Sequence, residues 1–132
     1  GVYSFYIDNL HFNLAVQLLN DKYGIQVRGG CSCAGTYGHI LLNVQSDQSC
    51  DITTKINEGN LSSKPGWVRM SIHPTMTDEE IHCIMNAIED IAKNHKELSK
   101  DYKYISGTNE FRYKEDIYAQ LNKERAKAWF KL

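Results

Sequence analysis

A short stretch that begins with an arginine combines residue types that can do chemistry. Residues 28–34 read Arg-Gly-Gly-Cys-Ser-Cys-Ala. Glycine frees the backbone, and a thiol becomes a strong nucleophile once it ionises. A nearby cation favours the thiolate, and Arg28 or His39 can supply that charge. The stretch therefore makes Cys33 a candidate nucleophile, with the alternative that Cys33 is a small buried packing residue, as free cysteines commonly are.

A second arginine, Arg69, lies in the middle of a predicted strand, between Val68 and Met70. A guanidinium at such a position must reach water, pair with a carboxylate or face a cleft. Its planar fork binds a carboxylate through two parallel hydrogen bonds, which the ammonium of lysine does not do. Arg69 is therefore a candidate carboxylate-binding residue, and the alternative is an ordinary exposed arginine on an open sheet face.

The cysteines and histidines lack the spacing that is typical of a structural metal site. Such sites usually combine two knuckles, each with two ligands separated by a few residues. Here Cys31 and Cys33 are followed only by the isolated His39 and Cys50, so no metal ligands are predicted. A redox function of Cys31 and Cys33 stays open, although C-x-C departs from the C-x-x-C of thioredoxin-like proteins.

Short runs rich in β-branched and aromatic residues predict the strands that must position these side chains. Three strands are predicted, at Val2–Ile7, Ile25–Arg28 and Trp67–Ile72. The stretch Cys31–Gly38 is small, polar and rich in glycine, which is typical of a loop.

Apolar residues at helical spacing predict the helices between and after the strands. Thr77 and Glu80 form a capping box ahead of the strongest amphipathic pattern. The predicted helices cover His11–Tyr23, Asp47–Glu58, the residues after Thr77, and Glu115 to about Phe130.

The order of these elements predicts an α+β fold. We expect a two-layer sandwich in which a small, mainly antiparallel sheet of about three strands carries helices on one face. Residues 1–95 are expected to form this domain, and residues 96–132 a helical extension packed on the same domain.

Composition excludes several classes of function. The chain has 132 residues, and its 15 basic and 16 acidic residues leave a net charge of −1, which gives no electrostatic case for nucleic acid or anionic membranes. No apolar run approaches the roughly 20 residues of a membrane span. Four cysteines do not make a disulfide scaffold, so a cytoplasmic protein is expected. A strand that directly follows Gly1 suggests a piece of a longer chain.

Two segments resemble the C-terminal small domain of class V aminotransferases and cysteine desulfurases, which are PLP-dependent enzymes of fold type I. They are Ile25–Ala34 (IQVRGGCSCA) and Gly66–Ile72 (GWVRMSI), and the helix after Thr77 is also similar. The resemblance covers roughly Val2 to His95. The residues that match the family's Arg-x-Gly-x-x-Cys-Ala loop and its strand arginine are Arg28, Gly30, Cys33, Ala34 and Arg69.

The resemblance implies a role for each matched side chain. Arg69 would hold the α-carboxylate of an amino-acid substrate, and Arg28 would be a second substrate-binding cation. Cys33 would occupy the position of the thiol that accepts sulfur in desulfurases. Transamination, desulfuration and lyase chemistry all stay open.

The resemblance also implies partners and a cofactor. PLP would be bound by a large domain of the same enzyme, which this chain lacks, so the chain alone would be inactive and hold no cofactor. The full-length enzyme would be a homodimer. The alternative is a stand-alone α+β module that binds a protein or metabolite and has no catalytic role.

Overall fold

The chain folds into an α+β domain, which confirms the predicted fold class. The structure, a computed structural model, describes residues 1–31, 35–115 and 117–129. The elements in chain order are β1 (Val2–Phe5), α1 (Phe12–Tyr23), β2 (Arg28–Gly30), α2 (Gly35–Leu41), α3 (Ser46–Asn57), β3 (Trp67–Ser71), α4 (Asp78–Leu98), β4 (Tyr102–Ile105), β5 (Glu110–Tyr113) and α5 (Ile117–Trp129). A single 3₁₀ turn, Ser99–Asp101, joins α4 to β4.

Strand β3 is the centre of a three-stranded sheet, with β1 on one side and β2 on the other, and both pairings are antiparallel. Val68 of β3 is fully buried against the helix layer. Because side chains alternate between the two faces of a strand, Trp67, Arg69 and Ser71 project from the opposite face. The arginine of the central strand therefore lies on the side that α1 does not cover.

Helix α1 supplies most of the layer that packs on the sheet. Its inner face buries Phe12, Leu14, Ala15, Leu18 and Leu19. The helix begins where His11 Nδ1 accepts a hydrogen bond from the backbone N–H of Asn13 at 3.1 Å. It ends at Gly24, whose φ of 68° is a left-handed conformation that suits glycine.

Helix α4 packs against α1 and completes this layer. The predicted capping box is present: the N–H of Glu80 donates to Thr77 Oγ1 at 3.2 Å, and the N–H of Thr77 donates to Glu80 Oε2 at 2.9 Å. Ile84, Ala87 and Ile91 are buried on the side that faces the core. Helices α1 and α4 therefore lie on the face of the sheet that Val68 occupies, which is the helix layer that the sequence predicts.

The segment 96–132 is only partly helical, which corrects the prediction of a helical extension. Residues 102–113 form a hairpin in which β4 and β5 pair antiparallel. Alternating aromatic residues favour strands in this hairpin. Tyr104 and Phe111 lie opposite each other, and their ring centroids are 5.0 Å apart. Asn109, with φ 55°, provides the left-handed residue of the turn. Phe111 and Tyr102 join the core beside α1.

Two local predictions around the arginine stretch are also corrected. Strand β2 covers Arg28–Gly30 and not Ile25–Arg28. The end of the predicted loop Cys31–Gly38 belongs to helix α2, which begins at Gly35. No helix in the described ranges is long and apolar enough to cross a bilayer.

Candidate functional site

The sheet register brings the two predicted arginines together. Arg28 of β2 lies directly opposite Arg69 of β3, and Ser4 of β1 lies opposite Arg69 on its other side. Opposed residues of antiparallel strands project from the same face of a sheet. Ser4, Arg69 and Arg28 therefore form one line across the sheet, here called the arginine row.

The hydrogen-bond pattern of the sheet fixes the spacing of the two arginines. Gly1 and Ile72 exchange backbone hydrogen bonds at 2.6 and 2.8 Å. Hydrogen-bonded and non-hydrogen-bonded pairs alternate along an antiparallel ladder, so Arg69 directs its backbone groups toward β2. Arg28 and Arg69 are consequently a hydrogen-bonded pair, whose Cα atoms are about 5.5 Å apart.

The arginine row places two like charges opposite each other, and no acidic side chain that the structure describes forms an ion pair with either of them. The ion pairs in the described part of the chain are Lys93–Glu89, Lys100–Glu97 and Arg112–Glu110, and they include neither Arg28 nor Arg69. Like charges at directly opposed positions destabilise a sheet. Arg69 is half-buried and Arg28 is exposed. Among the described residues, the row is thus a pair of cations without an ion-pair partner, and such a pair favours an anion as ligand.

Two glycines behind the arginine row let α1 approach the sheet closely. A Cβ at Gly66 would lie 2.6 Å from the ring of Phe12, and a Cβ at Gly29 would lie 2.9 Å from Phe12 and Asn13. Both distances are far shorter than a normal carbon contact. Gly29 follows Arg28, and Gly66 precedes β3, so the contact with Phe12 holds the ends of both strands that carry the arginines.

The thiol of Cys31 ties the end of β2 to the residues before β3. Its Sγ donates a hydrogen bond to the carbonyl oxygen of Pro65 at 2.8 Å. Burial raises the pKa of the Cys31 thiol, and the charge of Lys64 opposes this only in part. Cys31 therefore acts as a protonated donor in this position, which is the opposite of an activated nucleophile.

Helix α2 also contacts the start of β3. Gly38 is buried beside the indole of Trp67, to which a Cβ at position 38 would come within 3.1 Å. Trp67 is itself buried at the start of β3. The two ends of segment 31–38 are thereby anchored next to β3, close in sequence to Arg69.

The predicted nucleophile, Cys33, lies outside the described residues, as do Ser32, Ala34 and the side chain of His39. Cys50 is exposed on α3. Among the side chains that the structure describes, no three histidine, cysteine or acidic residues are grouped as metal ligands would be. Of the three predicted site residues, the structure brings Arg28 and Arg69 together.

A separate cleft of about 700 Å³ lies between α1 and the hairpin. Its lining includes Gln17, Asp21, Tyr102, Phe111 and Tyr113. The hydroxyl of Tyr102 donates to Asp21 at 2.9 Å, and burial, together with this carboxylate, raises the pKa of Tyr102. Sequence reasoning missed the cleft because one wall is the hairpin, whose two strands were not predicted. The arginine row is not part of it.

Comparisons with known protein families, curated proteins and solved structures found no match to this chain. Function must therefore be argued from the arginine row and from the residues that position it.

Proposed function

We propose that this chain is the substrate-binding small domain of a PLP-dependent enzyme of the class V aminotransferase or cysteine desulfurase type, acting on an amino acid in the cytoplasm. The observation that supports this best is the position of Arg28 opposite Arg69 on the sheet face away from α1. Residue type and motif single out these two arginines in the sequence. Their meeting on one face is what a substrate-binding role requires.

In this proposal Arg69 binds the α-carboxylate of the substrate. A half-buried guanidinium is partly shielded from water, so its two parallel hydrogen bonds to a carboxylate are stronger than at a fully exposed site. Arg28 adds a second positive charge from the neighbouring strand, and its Cα atom lies about 5.5 Å from that of Arg69. It strengthens the field that attracts the anion, while Arg69 fixes its orientation.

The described residues of this chain do not fit PLP itself. A Schiff-base lysine needs a site shielded from water, with a phosphate cup and an acidic partner for the pyridine nitrogen. Every lysine that the structure describes is exposed. The proposal therefore assigns PLP to the large domain of the same enzyme, and this chain to substrate binding.

A first experiment tests whether the chain itself binds PLP. The chain is incubated with PLP and treated with borohydride, and the expected result is only scattered, substoichiometric labelling of exposed lysines. A stoichiometric adduct on one lysine would show that the chain holds the cofactor, and the proposal would be wrong.

A second experiment tests Arg69 in an enzyme in which this chain is joined to its PLP-binding domain. Arg69→Gln removes a charge-assisted pair of hydrogen bonds, so KM for the amino acid should rise by about 10- to 100-fold. The matched control is Arg125→Gln, because Arg125 is an exposed arginine on α5 that belongs neither to the arginine row nor to the cleft beside the hairpin. Equal kinetics in the two variants would remove Arg69 from the site.

Substitution of Cys33 distinguishes between the reactions that the proposal leaves open. Cys33→Ala should abolish sulfur transfer to an acceptor if the enzyme is a desulfurase, because the thiolate is the sulfur acceptor in that chemistry. It should leave transamination intact. A sulfide-release assay and a keto-acid assay on the same variant distinguish the two.

The cleft between α1 and the hairpin favours the second candidate, a stand-alone metabolite-binding module. It has the volume of a small-molecule site and combines aromatic rings with carboxylates, and it is separate from the arginine row. NMR shift changes of the chain on adding amino acids decide between the two. Changes at Arg28 and Arg69 support the enzyme domain, and changes confined to Asp21, Tyr102 and Tyr113 support the module.

A further inference from the structure

Strand β1 has an outer edge whose backbone groups point away from the sheet. Because Gly1 and Ile72 form a hydrogen-bonded pair, the alternation along the ladder directs Tyr3 and Phe5 toward β3. The N–H and C=O groups of Val2 and Ser4 then point outward. In the described chain, β1 is at the end of the strand order, and β3 is the strand that pairs with it.

This edge lacks the features that normally prevent strand-to-strand association. Edges are usually protected by charged side chains, proline or a covering element. The run Val2–Ile7 (VYSFYI) contains neither charge nor proline. Val2, Tyr3 and Tyr6 are all more than half exposed, at 62%, 57% and 63%.

The other strands with a free edge are protected. Strand β2 is only three residues long and begins with the exposed Arg28. Strand β4 carries Lys103, and β5 carries Glu110 and Arg112. Among the described strands, an unprotected edge is therefore a property of β1, which points to a pairing function of this strand.

We propose that β1 pairs antiparallel with β1 of a second copy of this chain, about a two-fold axis at Tyr3. In this register Val2 of each copy faces Ser4 of the other, so the outward N–H and C=O groups of both residues are satisfied reciprocally. Tyr3 faces Tyr3 in a non-hydrogen-bonded pair, in which side chains approach most closely. The result is one continuous sheet across both copies.

A second copy suits this edge for two physical reasons. The outward groups are self-complementary, because residues 2 and 4 lie symmetrically about residue 3. Charge does not oppose the pairing: the two Arg69 residues would be three strand spacings apart, about 14 Å, which exceeds the Debye length of about 8 Å at physiological salt. The pairing involves only one short strand from each copy, so we expect the dimer to form weakly and reversibly with concentration.

The test is sedimentation of the 132-residue chain from about 10 µM to about 1 mM, a range that spans weak association. A monomer–dimer equilibrium is expected. Ser4→Pro removes an outward N–H and leaves the bonds of Tyr3 and Phe5 to β3 in place, so the dissociation constant should rise at least about tenfold. Ser4→Ala, the matched control, keeps the N–H and should dimerise like the parent. A monomer at every concentration, or equal dimerisation of the proline and alanine variants, overturns the proposal.

Amide hydrogen exchange of the unaltered chain supplies a test that needs no variant to fold. The Ser4 amide should exchange more slowly as the protein concentration rises, because pairing protects it. The Tyr3 amide, bonded to β3, should exchange at a rate independent of concentration. A Ser4 exchange rate that does not change over the same range also overturns the proposal.

Discussion

Replacing Gly66 with alanine should destabilise the fold through one identifiable contact. The new Cβ would lie 2.6, 2.7 and 2.9 Å from three carbons of the Phe12 ring. Carbon atoms attract each other best at about 3.5–4.0 Å, so the ring or the strand must move by close to 1 Å. Phe12 is buried in the core, which leaves it little room to yield. Overpacking of this kind costs about 1–3 kcal/mol.

The assay is urea unfolding followed by circular dichroism, with Gly107→Ala as the control. Gly107 lies in the hairpin turn, and a Cβ added there would have no atom within 4 Å. Its substitution should be neutral or stabilising by up to about 1 kcal/mol. A Gly66→Ala variant as stable as the Gly107→Ala variant would refute the argument that the Phe12 contact holds the strands of the arginine row.

Three further predictions concern stability. Burial lowers the pKa of His11 below its usual 6.5, so the contribution of His11 to the free energy of unfolding is complete above pH 6.5 and is lost as pH falls. His11→Asn keeps a helix cap and should reduce this pH dependence of stability, as measured by urea titrations at several pH values. Tyr102→Phe loses a hydrogen bond to a carboxylate and should cost about 1.5–3 kcal/mol, more than Tyr104→Phe, whose partner is the neutral side chain of Asn109. Arg28→Gln relieves the like-charge pair and should stabilise the chain by about 0.2–1 kcal/mol, less at high salt; a loss of stability would contradict the unneutralised pair.

The sequence predicts those elements whose pattern is local and strong. The capping box at Thr77 and the leucines of α1 specify helices with their own residues, because capping and amphipathicity act within a few turns. The positions of β1 and β3 follow from β-branched and aromatic runs in the same way.

The hairpin and α2 could not be predicted because tertiary contacts decide them. Tyr102 and Phe111 form strands since their rings reach the α1 layer, and a polar segment with a central turn carries little sign of this. Helix α2 begins within a stretch rich in glycine and small residues, which disfavour helix locally. Its Gly38 lies against Trp67, a residue far along the chain.

For the candidate site, too, the sequence identifies the two arginines but not their pairing. Arg28 and Arg69 are candidates from the sequence because Arg28 begins a run of glycines and thiols and Arg69 lies between apolar residues of a predicted strand. Their register depends on how β2 and β3 pair, and a one-residue slip would place them on opposite faces. Ser4 was missed for this reason, since a serine in β1 gains meaning only from its position opposite Arg69.

The central claim, that Arg28 and Arg69 form one carboxylate site, is tested most directly by arginine side-chain NMR. The Nε–Hε signals of the chain are followed during titration with L-alanine. We expect the Arg28 and Arg69 signals to shift together and saturate, Arg69→Gln to abolish the shift at Arg28, and Arg125, an exposed arginine of α5, not to respond. Arg28 and Arg69 signals that stay fixed, or that drift linearly like that of Arg125, would contradict it.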